Sequence, residues 1–175
     1  MSTGGKPEAK KHNKISPIKK TKHHMVPLSR IKREDHAGRP NFTRDNLKHI
    51  RWRLHEAWHS VFDTLTPFEA VLLIIRELSP PGYFIEAEIQ VSWGRYEHEF
   101  KLADIDNVTI PPRKKSKQRE EALKLLFANR DWVNAISHVV YDWSPTDYFR
   151  FVHIVGKNDQ GENTFTFNRT TAPNE

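Results

Sequence analysis

Residues 46–62, NLKHIRWRLHEAWHSVF, change partway along from an extended pattern to a helical one. The first five residues have the form of a short strand, and after them apolar side chains recur at helical spacing. In the helical part, His55 and His59 stand four residues apart, so both imidazoles share one helix face with about 6 Å of rise between them. Two imidazoles placed in this way can bind one metal ion at roughly 2.0–2.1 Å each. The stretch therefore predicts a strand followed by a helix that carries a pair of potential metal ligands.

A second pair of histidines lies upstream, in the short segment His23-His24-Met25-Val26-Pro27. We expect this segment to be extended, because a proline biases the residue before it toward the β region. Adjacent side chains on a strand point to opposite sides, so one of the two histidines can bind an ion while the other faces a substrate. This division suits a hydrolytic site, which needs three protein ligands, an open coordination position and a separate base.

The sequence beyond the histidine pairs predicts a second helix and then further helices and strands. Thr66 is a favourable N-cap, Pro67 suits the first helical position, and Glu69 completes a capping box. The helix should end at Ser79-Pro80-Pro81-Gly82, where we place the main internal boundary. Beyond it, residues 83–90 and 97–102 are predicted to form a hairpin. Residues 116–143 should be helical with one break near 129–131, and residues 148–155 and 164–167 should form two more strands.

We therefore expect an α+β fold in three parts. Residues 1–21 are predicted to be a disordered basic arm, because they contain six lysines and almost nothing apolar. Residues 22–79 should form a ββα finger with a supporting helix. Residues 80–175 should form a C-terminal α+β region, for which the sequence indicates no role.

Basic charge is concentrated near the start of the chain. Residues 1–60 hold 15 Lys and Arg against 5 Asp and Glu, whereas residues 61–175 hold 13 against 17. Such a distribution favours phosphate groups as partners, and a basic arm gains affinity for a polyanion by counterion release. For the arm taken alone, a solvated tail is the alternative interpretation. The residues predicted to contact nucleic acid are Lys10, Lys11, Lys14, Lys19, Lys20, Lys22, Arg30, Lys32 and Arg33.

The composition also excludes several classes of protein. Without cysteine there can be no disulfide, thiolate zinc site or cysteine nucleophile. Any metal must therefore be bound by His, Asp, Glu or Asn. The longest apolar run, Val71–Ile75, is far shorter than the roughly 20 residues of a membrane-spanning helix, and no apolar signal segment follows the lysine-rich start. We therefore expect a cytoplasmic protein without a membrane partner, while the oligomeric state stays open.

Taken together, the histidine pairs and Asn46 resemble the motif of the HNH endonuclease family. The resemblance covers roughly residues 22–63, where His23-His24-x-x-Pro27, Asn46-Leu47 and His55-x-x-x-His59 follow one another in the family's order. It implies a ββα-metal finger, the fold of colicin-type DNases and many phage endonucleases. The implied activity is metal-dependent hydrolysis of phosphodiester bonds in nucleic acid, with DNA expected ahead of RNA.

The same resemblance implies a role for each residue of the motif. His23, His55 and His59 would bind one divalent ion (Mg, Mn, Ni or Zn), and His24 would be the general base that activates a water molecule. Asn46 would tie the two strands together and orient His24. The loop before Asn46 is long, and its His36, like His49 further on, could replace one of these ligands.

Many relatives are braced by a cysteine ribbon, which this chain lacks. The stability of its finger must therefore come from apolar packing. The residues expected to supply this packing are Trp52, Leu54, Val61, Phe62 and the helix containing Val71–Ile75.

Two other functions remain open at this point. The finger could hold a structural ion in a protein that binds nucleic acid without cleaving it. Alternatively, His55-Glu56-Ala57-Trp58-His59 also satisfies the His-Glu-x-x-His spacing of zinc proteases, in which Glu56 would be the base. A zinc protease would not require the upstream histidine pair or the basic arm.

Overall fold

The computed structural model of the chain describes residues 19–30, 45–78, 82, 84–93, 96–101, 107–110, 116–127 and 131–170. Over these residues the fold is mixed α+β, with two antiparallel sheets and four α-helices. The predicted α+β class is therefore confirmed. Residues 1–18 of the predicted basic arm lie outside the described part, and so do Lys32, Arg33 and His36.

The first sheet leads directly into the first helix. Strand β1 (Lys20–His24) pairs antiparallel with β2 (Leu47–Arg51), and helix α1 (Trp52–Phe62) starts at the next residue. The backbone N–H of Trp52 donates a hydrogen bond to the carbonyl of Lys19 at 3.2 Å, which attaches the helix start to the residue before β1. The predicted change from strand to helix is confirmed.

Helix α2 (Pro67–Leu78) begins with the predicted capping box. The Thr66 backbone N–H donates to the Glu69 carboxylate at 2.9 Å, and the Glu69 N–H donates to the Thr66 hydroxyl at 3.3 Å. Two backbone donors at the helix start are thereby satisfied.

The second sheet contains four antiparallel strands in the order β4-β3-β5-β6. These are β3 (Phe84–Trp93), β4 (Tyr96–Lys101), β5 (Phe149–Lys157) and β6 (Asn163–Thr170). Both predicted strand pairs are thus confirmed, and the pairing of β3 with β5 joins the two hairpins into one sheet.

Two further helices lie between the hairpins in sequence. Helix α3 (Lys117–Phe127) and helix α4 (Trp132–Asp142) are separated at the break that the sequence predicts. Asp131 caps α4, since its side chain accepts a hydrogen bond from the Asn134 backbone N–H at 2.8 Å. None of the helices in the described part of the chain is long and apolar enough to cross a membrane.

One cluster of buried side chains includes residues on both sides of the boundary predicted at residue 79. The ring of Trp58 stacks on that of Trp143 with centroids 4.1 Å apart, and the rings of Phe62 and Phe127 lie edge to face at 6.1 Å. The N-terminal helices therefore share their apolar core with the C-terminal region.

The predicted apolar support of the finger is mostly confirmed. Val61, Phe62 and Val71–Ile75 are buried, and Leu54 packs against the edge of the core. Trp52 was wrongly assigned to this set, because its side chain is 42% exposed. It lies on the face of α1 that carries the histidines, away from the face that packs into the core.

Candidate metal centre

Three histidines from two elements meet where β1 packs against α1. One ring nitrogen from each of His23, His55 and His59 lies within 4.8 Å of the other two. The ring centroid of His23 is 5.1 Å from that of His55 and 5.4 Å from that of His59. The structure therefore brings together the three residues that the sequence proposes as metal ligands.

The two histidines of α1 face each other through their Nε2 atoms, which are 3.0 Å apart. The Nδ1 atom of His59 lies 3.0 Å from the carbonyl oxygen of Asp63. A carbonyl can only accept a hydrogen bond, so this Nδ1 is the donor, and in the neutral imidazole the Nε2 then has a lone pair. The Nδ1 of His55 lies 3.4 Å from the Thr21 hydroxyl, which allows the same arrangement. Metal-binding histidines are commonly oriented by such a contact to the second ring nitrogen.

His23 is the buried member of the cluster. Its side chain is 1% exposed, and neither ring nitrogen has a hydrogen-bond partner in the described part of the chain. Burial, followed by the neighbouring His59 and His55, lowers the pKa of His23 to about 3. The imidazole is therefore neutral near pH 7, which is the form that binds metal ions. Burial, followed by the nearby His59, also lowers the pKa of His55.

Two tryptophans form a wall around His23. The His23 ring centroid lies 5.9 Å from Trp58 and 5.2 Å from Trp143. The indole N–H of Trp143 donates to Nε2 of His138 at 3.0 Å, and the Nδ1 of His138 contacts the Asp142 carboxylate. The end of α4 thereby orients one wall of the cluster. Sequence reasoning missed this contribution from the C-terminal region, although the four-residue spacing of His138 and Asp142 is a local signal of their contact.

Lys48 is a second residue near the cluster that the sequence did not single out. It lies opposite His23 in the β1–β2 pairing. Its Nζ atom is 5.7 Å from the centroid of the Trp143 ring and donates to the backbone carbonyl of Asp142. Burial lowers the pKa of Lys48, while the Asp142 carboxylate opposes that shift. The lysine thus links β2 to the end of α4.

Asn46 connects the segment after His24 to the start of β2. Its Oδ1 accepts a hydrogen bond from the Val26 N–H at 2.7 Å, and its Nδ2 donates to the Val26 carbonyl at 2.8 Å. Its own carbonyl accepts from the Met25 N–H at 3.0 Å. The side chain thereby makes the connection expected of it, while an orienting effect on His24 stays a prediction.

The other histidines of the motif lie outside the cluster. His24 is partly exposed and lies opposite Leu47 in the strand pairing. Consecutive strand residues point to opposite sides, so His24 is separated from the buried face occupied by His23. His49, the alternative ligand, is exposed and is not part of the group. The role of His24 as a base stays a prediction.

The basic residues proposed to contact nucleic acid divide into two groups. Lys19, Lys20 and Lys22 are exposed at β1. The side chain of Arg30, in contrast, pairs with the Glu69 carboxylate at the start of α2. Lys10, Lys11, Lys14, Lys32 and Arg33 lie outside the described residues.

No protein-family model, curated protein or solved structure matches this chain. A functional assignment therefore depends on the residues of the chain itself and on their geometry.

Proposed function

We propose that this chain is a metal-dependent HNH-type endonuclease that hydrolyses phosphodiester bonds in nucleic acid, with DNA ahead of RNA as substrate. In this proposal β1, β2 and α1 form the ββα-metal finger. The observation that carries the proposal is the environment of His23. This imidazole is buried and neutral, has no hydrogen-bond partner among the described residues, and faces two histidines whose Nε2 atoms are 3.0 Å apart.

The donor set fits a divalent ion. Ligand nitrogens around a tetrahedral ion are separated by about 3.3 Å, given metal–nitrogen bonds of about 2.0–2.1 Å. The His55–His59 separation of 3.0 Å is close to this value, and His23 lies within the 4.8 Å spread of the group. Imidazole ligands favour Zn or Ni over Mg, which prefers oxygen ligands.

In this proposal, the histidines that bind the metal ion and the histidine that acts as the base have separate roles. A divalent ion bound by the three histidines would supply positive charge to a phosphate oxygen and to the leaving 3′ oxygen. His24 would accept a proton from the attacking water, because histidine is the most common general base and this side chain is partly exposed. Asn46 would hold the backbone that follows His24. The expected products carry 5′-phosphate and 3′-hydroxyl ends.

Cleavage of supercoiled plasmid and of structured RNA tests this proposal. Metal-stripped protein would be assayed with Mg, Mn, Ni or Zn added singly. We expect metal-dependent cleavage that falls by about 100-fold or more in His24→Ala, the effect typical of losing a general base, while bound metal is retained. His59→Ala should lose both the metal and the cleavage. The exposed His49 provides a matched control, and His49→Ala should retain both.

The competing functions predict different results. Tight binding of nucleic acid without cleavage, equal in the wild type and in His24→Ala, would contradict the nuclease and support a metal-stabilised binding module. Proteolysis that is lost in Glu56→Ala would support the zinc-protease alternative. Metal content, measured by elemental analysis of each variant, separates a missing ion from a missing base.

A further inference from the structure

A groove of about 440 Å³ lies beside the histidine cluster, where the start of α1 meets the start of β1. Its floor is partly apolar and open to solvent, because Trp52 is 42% exposed and Leu125 is 51% exposed. The remaining lining residues are mostly basic. The full lining is Lys19, Arg51, Trp52, Arg53, Leu54 and Leu125.

The groove and two of the proposed metal ligands lie on the same helix, α1. Trp52 precedes His55 by three residues and His59 by seven, so the indole lies on the helix face that carries both imidazoles. The residue before β1, Lys19, is attached to the start of α1 by its hydrogen bond from the Trp52 N–H. Two residues later, Thr21 contacts His55. Helix α1 and the segment around the start of β1 therefore contribute to both the groove and the cluster, while α3 adds Leu125 to the groove.

The groove has a strongly positive lining. Lys19, Arg51 and Arg53 are all exposed, and no carboxylate in the described part of the chain forms an ion pair with them. The lining contains no acidic residue. Three cations around an exposed indole are complementary to a ligand that combines phosphates with flat aromatic rings. Positive grooves with aromatic platforms are typical of proteins that bind single-stranded nucleic acid.

We propose that the groove binds an unpaired nucleic-acid strand next to the scissile phosphate. One base stacks on Trp52, and the flanking phosphates contact Lys19, Arg51 and Arg53. In a regular duplex the base faces are already stacked on one another, so only an unpaired base can use the indole. The groove therefore directs the protein to single-stranded or locally unpaired nucleic acid. This inference rests on the proposed nuclease function, because the groove shares helix α1 with two of the proposed metal ligands.

Binding of labelled oligonucleotides tests the stacking contact. The full-length protein with its metal would be used, with His24→Ala in every variant to suppress cleavage, and fluorescence anisotropy would compare a single strand with its duplex. We expect tighter binding of the single strand. Trp52→Ala should weaken that binding by about tenfold, within the range measured for base–aromatic stacking, and should change duplex binding little. Trp52→Phe should retain most of the affinity.

Phe84, an aromatic residue that is 56% exposed at the start of β3, provides the matched control. Phe84→Ala should bind both oligonucleotides as the parent protein does. Tryptophan fluorescence provides a second readout, because a base stacked on Trp52 should quench emission in the parent protein and not in Trp52→Phe. Circular dichroism spectra would establish that each variant is folded.

The charged part of the groove has its own test. Arg53→Gln should reduce the slope of log affinity against log salt by about 0.7 for a single strand, the value expected for one lost phosphate contact. Lys157→Gln removes the same charge at the end of β5, where Lys157 pairs with Glu86. This control should leave the slope unchanged.

The outcomes separate the groove from the nuclease. If Trp52→Ala loses single-strand binding and the wild-type protein never cleaves nucleic acid, the groove is supported and the nuclease is rejected. Equal affinity for single strand and duplex would overturn the proposed groove, even if the wild-type protein cleaves plasmid DNA. Unchanged single-strand binding in Trp52→Ala would also overturn it.

Discussion

Two buried polar side chains near the cluster differ in how their hydrogen-bonding groups are satisfied. Asn46 uses both ends of its amide on the backbone of Val26, at 2.7 and 2.8 Å. His23 is equally buried, but neither of its ring nitrogens has a partner among the described residues. A buried polar group without a partner costs about 1–3 kcal/mol. Asn46 is therefore satisfied by the fold alone, whereas for His23 we propose a metal ion as the partner of one ring nitrogen.

The hydrogen bonds of Asn46 predict a large effect of its removal. Asn46→Ala would leave the buried N–H and carbonyl of Val26 without their side-chain partners. We expect the free energy of unfolding to fall by about 2–6 kcal/mol, the sum of two such losses. Urea denaturation measures this change, and the slope of the transition should stay the same. Asn134→Ala, at an exposed position of α4, should change the stability by less than about 0.5 kcal/mol. An equally small effect at Asn46 would contradict the structural role.

At the scale of single elements, Glu69 connects the cap of α2 with the turn after β1. Its carboxylate accepts a hydrogen bond from the Thr66 N–H and also pairs with Arg30, which ends the short 3₁₀ turn Leu28–Arg30. The carboxylate lies near the helix N-terminus, where negative charge is favourable. One side chain therefore caps a helix and anchors the segment that follows His24.

Replacing this residue should destabilise the protein more than the loss of an ordinary cap. Glu69→Ala would remove the cap and leave Arg30 unpaired, so we expect a loss of about 2 kcal/mol in the free energy of unfolding. Glu69→Gln keeps an acceptor for the Thr66 N–H, so its free energy of unfolding should fall by less. Thermal and urea denaturation measure both variants. Glu120→Ala, exposed in the first turn of α3, is the control; a Glu69→Ala protein as stable as this control would refute the prediction.

At the scale of the whole molecule, the C-terminal region completes the surroundings of the cluster. Trp143 stacks on Trp58 and lies against His23, while α3 packs against α1 through Phe127 and Phe62. The two segments bury their apolar surface in one cluster. Because the wall around His23 is built from both, the geometry of the proposed metal site depends on the whole fold.

Tyr148 connects the four-stranded sheet to the start of α2 and provides a test of this packing by pH. Burial raises the pKa of Tyr148 to about 12, and hydrogen bonds with the Thr66 side chain and the Phe68 backbone oppose part of that rise. Its carbonyl accepts a hydrogen bond from the Ser92 N–H at 2.9 Å. The buried phenol is therefore held in its neutral form between two layers of the molecule.

The raised pKa of Tyr148 determines the sign of the pH effect. Below about pH 10 the phenol is protonated in both the folded and the unfolded states, so it contributes no pH dependence. Between about pH 10 and 12 only the unfolded state loses the proton, and the free energy of unfolding falls by up to about 1.4 kcal/mol per pH unit. The stability of the wild type relative to Tyr148→Phe should therefore decrease over this window. Urea denaturation of both proteins from pH 8 to pH 12 measures it, and parallel stability curves would contradict the raised pKa.

The sequence by itself determined the local elements of this protein. The Thr66-Pro67-Phe68-Glu69 cap, the strand-to-helix change before Trp52 and the spacing of His55 and His59 are all confirmed as structure. In the cap and in the histidine pair, the hydrogen bonds and side-chain contacts join residues at most four positions apart, so neighbouring residue types carry enough information to predict them. The common face of His55 and His59 belongs to this local part.

Only the tertiary structure decided the surroundings of the cluster. It placed Trp143 against His23, engaged Arg30 with Glu69, and left Trp52 exposed in a basic groove. Contacts between residues far apart in sequence depend on how whole helices and sheets pack, and no local spacing encodes that packing. The burial of His23 is of the same kind, because it arises when the end of α4 closes over a strand near the other end of the chain.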